Sequence, residues 1–312
     1  MFAFSRSVIE QKILFGRSFY LKRDDLIHPI CNGNKARKFV ALLELDAYKT
    51  WISYGGNQSN AMLALAYLAK LKGVGFKYVM PSLGAQKDLD AMQNLSYKAN
   101  LSRDAIQNNM AMGNLAYALE YGMQPYILPR GSSTAHLESY AKTLIDEHSL
   151  FIPQGGSVEC ALKGMNALAQ ELAQNIGGEP IIFYSSGSGV GVIALQKALD
   201  YFFPKATLIA LNCAGSEKEL KKKCERENVP HLQILHSSFK FAKPHKEIWA
   251  MREYLLNKGV ACDLIYDSPA FCLIRQHLES FKHKKLVFIL SGGLMGDVTQ
   301  MQRYVSKGFL HK

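Results

Sequence analysis

The chain has 312 residues, 48% of them hydrophobic and 20% charged, a globular composition too apolar for disorder and long enough for two lobes. The formal net charge is +11, but the runs "KELKKKCER" (218–226) and "KHKK" (282–285) lie on separate segments without interleaved aromatics. This argues against a nucleic-acid surface and leaves a general attraction for anions. Six cysteines without a CxxC pair, and histidines without metal-ligand spacing, leave neither a disulfide framework nor a metal site.

The N-terminus, "MFAFSRSVIEQKILFGRSF", is broken by Arg6, Glu10, Gln11 and Lys12 and holds no signal-peptide core. No apolar run approaches the ~20 residues of a membrane span, so a cytoplasmic protein is expected. At "HPICNGNKARKFVALLE" (28–44) a helix is expected to start beside Lys35, with Arg37 and Lys38 close behind. A helix prefers acids in its first turn, so a purely solvated basic face is an uncomfortable reading of this run.

From there β-rich runs, glycine turns and helical periods repeat. "TWISYGG" (50–56) is a strand entering glycines, and "SNAMLALAYLAKLKG" (59–73) is a helix stopped by Gly73. "GFKYVMP" is a strand; "AQKDLDAMQNLSYKAN" and "DAIQNNMAMGNLAYALEYG" are helical; "QPYILPRG" is a strand. "LFIPQGGS" leads into the helix "ALKGMNALAQELAQNIGG", and "PIIFYSSGSGVG" leads into "VIALQKALDYFF". "ATLIALNCAG" and "LVFILSGGLMG" follow the same plan. Such alternation predicts an α/β protein with two lobes, each built on a largely parallel sheet covered by helices. "HLESYAKTLIDEHSL" (136–150) is where the chain is expected to return from one lobe to the other.

Three turns stand where open α/β sheets bind ligands, beyond the carboxyl ends of strands. "YSSGSGVG" (184–191) places glycines and serines before a helix N-terminus, a cradle for phosphate that matches neither a Walker loop nor a dinucleotide fingerprint. "SYGGNQSN" (53–60) gathers Asn57, Gln58, Ser59 and Asn60 at another helix start. One of these could be a simple cap; four make a neutral cradle suited to a carboxylate. "LSGGLMG" (290–296) puts the Ser291 hydroxyl at a strand end. Phosphate, carboxylate and a lysine together suggest pyridoxal phosphate, whose aldehyde needs an amine.

"LKRDDL…NGNKARK" (21–38) resembles the region around the cofactor lysine of 1-aminocyclopropane-1-carboxylate deaminases and D-cysteine desulfhydrases, in the tryptophan-synthase-β-like group. That family usually reads "GGNKxRK", where this chain has Asn32 for the first glycine. "YGGNQSN", "FIPQGGS", "SSGSGVG" and "LSGGL" resemble its "GGxQSN", "IPxGGS", "SGSGGT" and "HTGGL", in family order from about residue 20 to 296. The resemblance implies that Lys35 carries pyridoxal 5'-phosphate and moves protons. It implies that Asn60 meets the cofactor's phenolic oxygen, and that Gly187, Ser188, Gly189, Val190 and Gly191 bind its phosphate. Gln58 and Ser59 would hold the substrate carboxylate, and Ser291 would meet the ring nitrogen without keeping it protonated. A larger cofactor-binding lobe is expected over 1–45 and 147–312, a smaller substrate-side lobe over 46–146, and a homodimer as assembly. Arg37 or Lys38 is expected to push the Lys35 pKa down, so that the amine is neutral when it attacks.

Departures bear on the substrate. The family's "DPVYxG" tyrosine is replaced in "YDSPAFCLI" by Ala270 and Phe271, a second tyrosine by His245 or Lys246, and the phosphate-turn threonine by Gly191. Opening a cyclopropane ring would rely on those phenols unless Tyr54 or Tyr266 takes their part. The expected activity is therefore D-cysteine breakdown to sulfide, ammonia and pyruvate. Cyclopropane deamination to 2-oxobutyrate, or a catalytically weakened cofactor binder, is the alternative.

Overall fold

The computed structural model describes residues 2–31, 33–82 and 113–309; Asn32, the expected helix at 85–100 and the first part of that at 104–122 lie outside them. The first described elements are β1 (Ile9–Leu14), β2 (Arg17–Lys22), α1 (Gly33–Phe39), β3 (Thr50–Tyr54), α2 (Asn60–Lys72) and β4 (Gly75–Pro81). Next come α3 (Asn114–Glu120), β5 (Met123–Leu128), α4 (Thr134–Thr143), β6 (Ser149–Phe151), α5 (Val158–Ile176), β7 (Ile181–Ser186) and α6 (Val190–Phe202). The chain continues through β8 (Thr207–Asn212), α7 (Glu217–Arg226), β9 (Gln233–His236), α8 (Lys246–Asn257), α9 (Asp267–His277), β10 (Leu286–Ile289) and α10 (Asp297–Ser306). They form two units, residues 1–41 with 158–312, and residues 42–157.

The first unit holds a six-stranded sheet in the order β1-β2-β10-β7-β8-β9. Only the β1–β2 pair is antiparallel; it turns through Phe15 and Gly16, whose φ angles of 53° and 74° are the positive pair that a tight hairpin turn requires. The other neighbours are parallel. Side chains along β7 alternate between two cores: Ile182 and Tyr184 pack with α5 and α6, whereas Ile181 and Phe183 pack with α8 and α9. A strand apolar on both faces reads as a continuous hydrophobic run, which is how "PIIF" appears in sequence.

The second unit has four parallel strands in the order β5-β4-β3-β6. Leu137 and Ala141 of α4 cover Ile52, Tyr54, Val79 and Leu128. The segment 136–150 thus supplies most of α4 and the start of β6, which pairs with β3. Helix α2 begins at the Ser59 cap, whose hydroxyl accepts from the N–H groups of Ala61 and Met62, and ends at Gly73 in the left-handed region. The alternating strand–helix plan of the sequence, with parallel sheets and helical cover, is the plan of the fold.

Candidate active site

Helix α1 carries Lys35 and is seated on both sides by backbone contact. Gly33 has φ 54°, and a Cβ there would stand 1.7 Å from the Ser291 carbonyl oxygen, so only glycine fits. Behind it, a Cβ on Gly164 of α5 would stand 2.0 Å from the Arg37 carbonyl oxygen. A glycine inside a helix costs about 1 kcal/mol relative to alanine, offset here by the close approach of α1 to α5.

The basic run is not a solvated face. Arg37 is fully buried. Its Nη2 lies 2.8 Å from Asp24 Oδ1 and 2.7 Å from Glu171 Oε2, and its Nη1 donates to Glu171 Oε1 at 2.8 Å. Lys22 reaches Glu171 at 2.7 Å, and Ser7 Oγ donates to Asp24 at 2.5 Å. Burial works against ionisation of Glu171, but Arg37 and Lys22 outweigh it and hold the carboxyl below its usual range. The network ties α1 to β2 and α5.

The Lys35 amine donates to Asn34 Oδ1 at 2.5 Å. Its pKa is pushed down to about 8 by burial, against the opposing pull of Cys31, Asp263 and Asp267. The expected cause, a push from Arg37 or Lys38, is therefore corrected. The Arg37 charge is matched by Asp24 and Glu171, and Lys38 is itself driven down by burial and then by Lys35.

The turn from β7 into α6 holds Gly187, Ser188 and Gly189, with Gly189 as the helix cap at φ 86°. Among the described residues, no hydrogen-bond partner engages the N–H of Gly187, Ser188 or Gly189. The N–H groups of Val190 and Gly191 belong to the first helical turn, which has no intrahelical acceptor. Five successive residues thus offer free N–H groups at the positive end of a 13-residue helix, an arrangement suited to an anion. Lys38 Cδ lies 3.5 Å from the place of a Cβ on Gly191, so α1 and this turn are neighbours.

Ser291, just past β10, is 7% exposed. Its Oγ donates to Asp267 Oδ1 at 2.6 Å and its N–H to Oδ2 at 3.0 Å; Ser185 Oγ also donates to Oδ1, at 2.8 Å. Burial, then Asp263, raises the Asp267 pKa well above the carboxylate range, while the donors oppose this. Asp263 is itself pushed up to about 6 by burial. Ser291 and Asp267 are therefore joined by a hydrogen bond whose proton either oxygen can carry. Sequence reading left Asp267 unassigned.

Gln58, Ser59 and Asn60 belong to the second unit. Gln58 Oε1 accepts from the Asn114 N–H at 3.1 Å, and Asn114 Nδ2 donates to the Gln58 carbonyl at 3.0 Å and to Asn60 Oδ1 at 2.6 Å. Asn114 is fully buried and orders the cradle. The Tyr78 hydroxyl closes its other side, meeting the Gly56 carbonyl at 3.3 Å and standing 2.7 Å from the place of a Cβ on Gly55. Neither residue has a local sequence signal.

Ala270 and Phe271 are buried in the core, with Phe271 stacked on Phe288 at 4.2 Å. His245 caps α8, and the Lys246 amine lies over the Phe309 ring. Tyr54 donates to Glu138 at 2.9 Å, and burial with that bond raises its pKa to about 12. The Tyr266 ring and hydroxyl stand 3.0 Å from the place of a Cβ on Gly187.

A poised lysine, a turn of free N–H groups and a strand-end serine occur together in the first unit. The residues present fit pyridoxal phosphate: an amine for its aldehyde, N–H donors for its phosphate and a hydroxyl for its ring nitrogen. The fold is shared with a solved ACC deaminase homologue and a solved threonine deaminase. The chain is similar to a putative 1-aminocyclopropane-1-carboxylate deaminase of Thermotoga maritima, 24% identical with 93% of each chain covered. It is also similar to a D-cysteine desulfhydrase of Yersinia pestis, 22% identical with 89% of this chain and 87% of that one covered. Among solved structures, an ACC deaminase homologue superposes with a TM-score of 0.77 at 20% identity, covering 96% of this chain and 93% of the other. No family model matches the chain. The resemblance carried by the ordered motifs is thus met by relatives of both names.

Among the described residues, no group of three or more His, Cys, Asp or Glu side chains could hold a metal, and no helix is long and apolar enough to cross a membrane.

Proposed function

We propose that the chain is a pyridoxal-phosphate-dependent lyase acting on a small amino acid, with D-cysteine the favoured substrate. The observation that carries the reading is Lys35, an amine brought to about pKa 8 by burial, on a helix whose Lys38 lies against a turn of unpaired N–H groups. When bound, the cofactor supplies an electron sink for the substrate's α-carbon. Lys35 captures the cofactor and then, freed by substrate, takes the α-proton on its Nζ. Gly187 through Gly191 hold the phosphate by N–H groups, and Asn60 meets the phenolic oxygen. Gln58, ordered by Asn114, and Ser59 receive the substrate carboxylate. Ser291 meets the ring nitrogen, where a hydroxyl need not keep the ring protonated. A homodimer in the cytoplasm is the setting we propose.

The phosphate assignment makes a direct prediction. Gly189→Val puts a branched side chain where φ is 86° and Leu220 Cδ1 already lies 2.7 Å from a Cβ. Cofactor affinity, followed by absorbance on titration, is expected to fall by about tenfold or more. Unchanged affinity would remove the phosphate from this turn.

Substrate choice follows from the missing phenols. Thiolate leaves readily once the α-proton is gone, so Lys35 suffices for D-cysteine. A cyclopropane carbon leaves as a far more basic group and needs an acid, yet Tyr54 is engaged by Glu138, the Tyr266 hydroxyl stands against Gly187 of the phosphate turn, and Ala270 and Phe271 carry no acid. The purified enzyme is expected to release sulfide and pyruvate from D-cysteine and little 2-oxobutyrate from 1-aminocyclopropane-1-carboxylate. Turnover of the cyclopropane substrate alone would reverse the ranking. Cofactor binding without turnover of either would favour a weakened relative.

A further inference from the structure

The basic run of α7 has a part in the site. Lys218, Lys221 and Lys222 are exposed, but Lys223 is half-buried and its Nζ donates to the Ser188 carbonyl at 2.8 Å. Leu220, three residues earlier on the same face, puts Cδ1 2.7 Å from the place of a Cβ on Gly189; Lys223 Cδ lies 3.7 Å from the same point. The helix is fixed at its start by a capping box between Ser216 and Glu219. The turn from β7 to α6 therefore rests on a braced helix face.

We infer that Lys223 is a positioning residue that orients the phosphate turn from behind. The inference rests on the phosphate assignment proposed above for Gly187–Gly191. A trans peptide is planar, so the carbonyl of Ser188 and the N–H of Gly189 point in opposite directions. Holding that carbonyl on the Lys223 ammonium turns the Gly189 N–H away from α7, on the side left open for an anion. Without the ammonium, the glycine-flanked peptide is free to rotate, and each rotation of the carbonyl toward the cradle opposes an anion there. The ammonium's charge also polarises the peptide and strengthens the N–H as a donor.

The test compares pyridoxal phosphate with pyridoxal, which lacks the phosphate, on apoprotein carrying Lys223→Met. Methionine keeps an unbranched stem against Gly189 and removes only the charge. The dissociation constant for pyridoxal phosphate is expected to rise about five- to tenfold, with pyridoxal unchanged and Lys223→Arg close to wild type. Hydrogen exchange in the apoprotein should quicken in a peptide spanning 184–191, because the turn loosens before any ligand arrives. Unchanged pyridoxal phosphate affinity overturns the inference, and so does an equal loss for both ligands, which would mean general damage. A selective loss with unchanged exchange would make Lys223 a direct phosphate contact instead of a positioning residue and also overturns it. Separately, wild-type protein that takes pyridoxal as tightly as its phosphate ester would overturn the phosphate assignment itself.

Discussion

Lys35→Ala is expected to abolish turnover and covalent cofactor capture while leaving the fold intact. Among the described residues the side chain makes a single short hydrogen bond, to its neighbour Asn34, and no ion pair. Removing a buried amine that burial already disfavours costs the fold little. Circular dichroism and the urea midpoint should stay near wild type, while sulfide release falls below detection. The same amine sets a pH dependence. Its pKa lies near 8, below the ordinary lysine value of 10.5, so the neutral, nucleophilic fraction at about pH 7.5 is roughly a quarter instead of about one in a thousand. Capture of the cofactor by apoprotein is expected to accelerate as pH rises and to level off past about pH 8. A rate still climbing steeply toward pH 10 would mean that Lys35 is solvated like a surface lysine.

Arg37→Met is expected to produce the largest loss of stability, about 3–5 kcal/mol by urea unfolding. The substitution leaves Asp24, fully buried, without its guanidinium partner and leaves Glu171 with Lys22. An unpaired carboxylate in that place must either pay desolvation or take up a proton. Because α1 rests on this network, cofactor capture at Lys35 should weaken in parallel. The control is Arg37→Met with Asp24→Asn, which removes the orphaned charge. It is expected to regain part of the loss, as a buried pair removed whole costs less than one broken. A single mutant within about 0.5 kcal/mol of wild type would show that Arg37 is better solvated than its surroundings indicate.

The parts of this molecule legible in sequence are those written locally. Strand, small-residue turn and helix start are contiguous in "PIIFYSSGSGVG" and "TWISYGGNQSN", so the turns and the fold class can be read from neighbours along the chain. The lysine helix is equally local. Its cations are not: that Arg37 is buried depends on Asp24 and on Glu171, 134 residues away. A charge run carries no mark of whether distant carboxylates will enclose it. The same holds for Asn114, which orders Gln58 and Asn60 from 56 and 54 residues away, and for Asp267, hydrogen-bonded to Ser291 from 24 residues away. The opening hairpin is a different case, since "VIEQKILFGRSFYLK" has two apolar runs around Phe-Gly; its signal is present but crossed by charged residues on the exposed face. Conversely, Ser59 does serve as the α2 cap that local reading offers, its hydroxyl accepting from the Ala61 and Met62 N–H groups.

The central claim is that Lys35 carries pyridoxal phosphate. Purified protein loaded with the cofactor and reduced with borohydride should be digested and its peptides weighed. One pyridoxyl-phosphate adduct is expected, on the peptide containing Lys35, and none after Lys35→Ala. A stoichiometric adduct on any other lysine, or no adduct on protein that is otherwise folded, would contradict it.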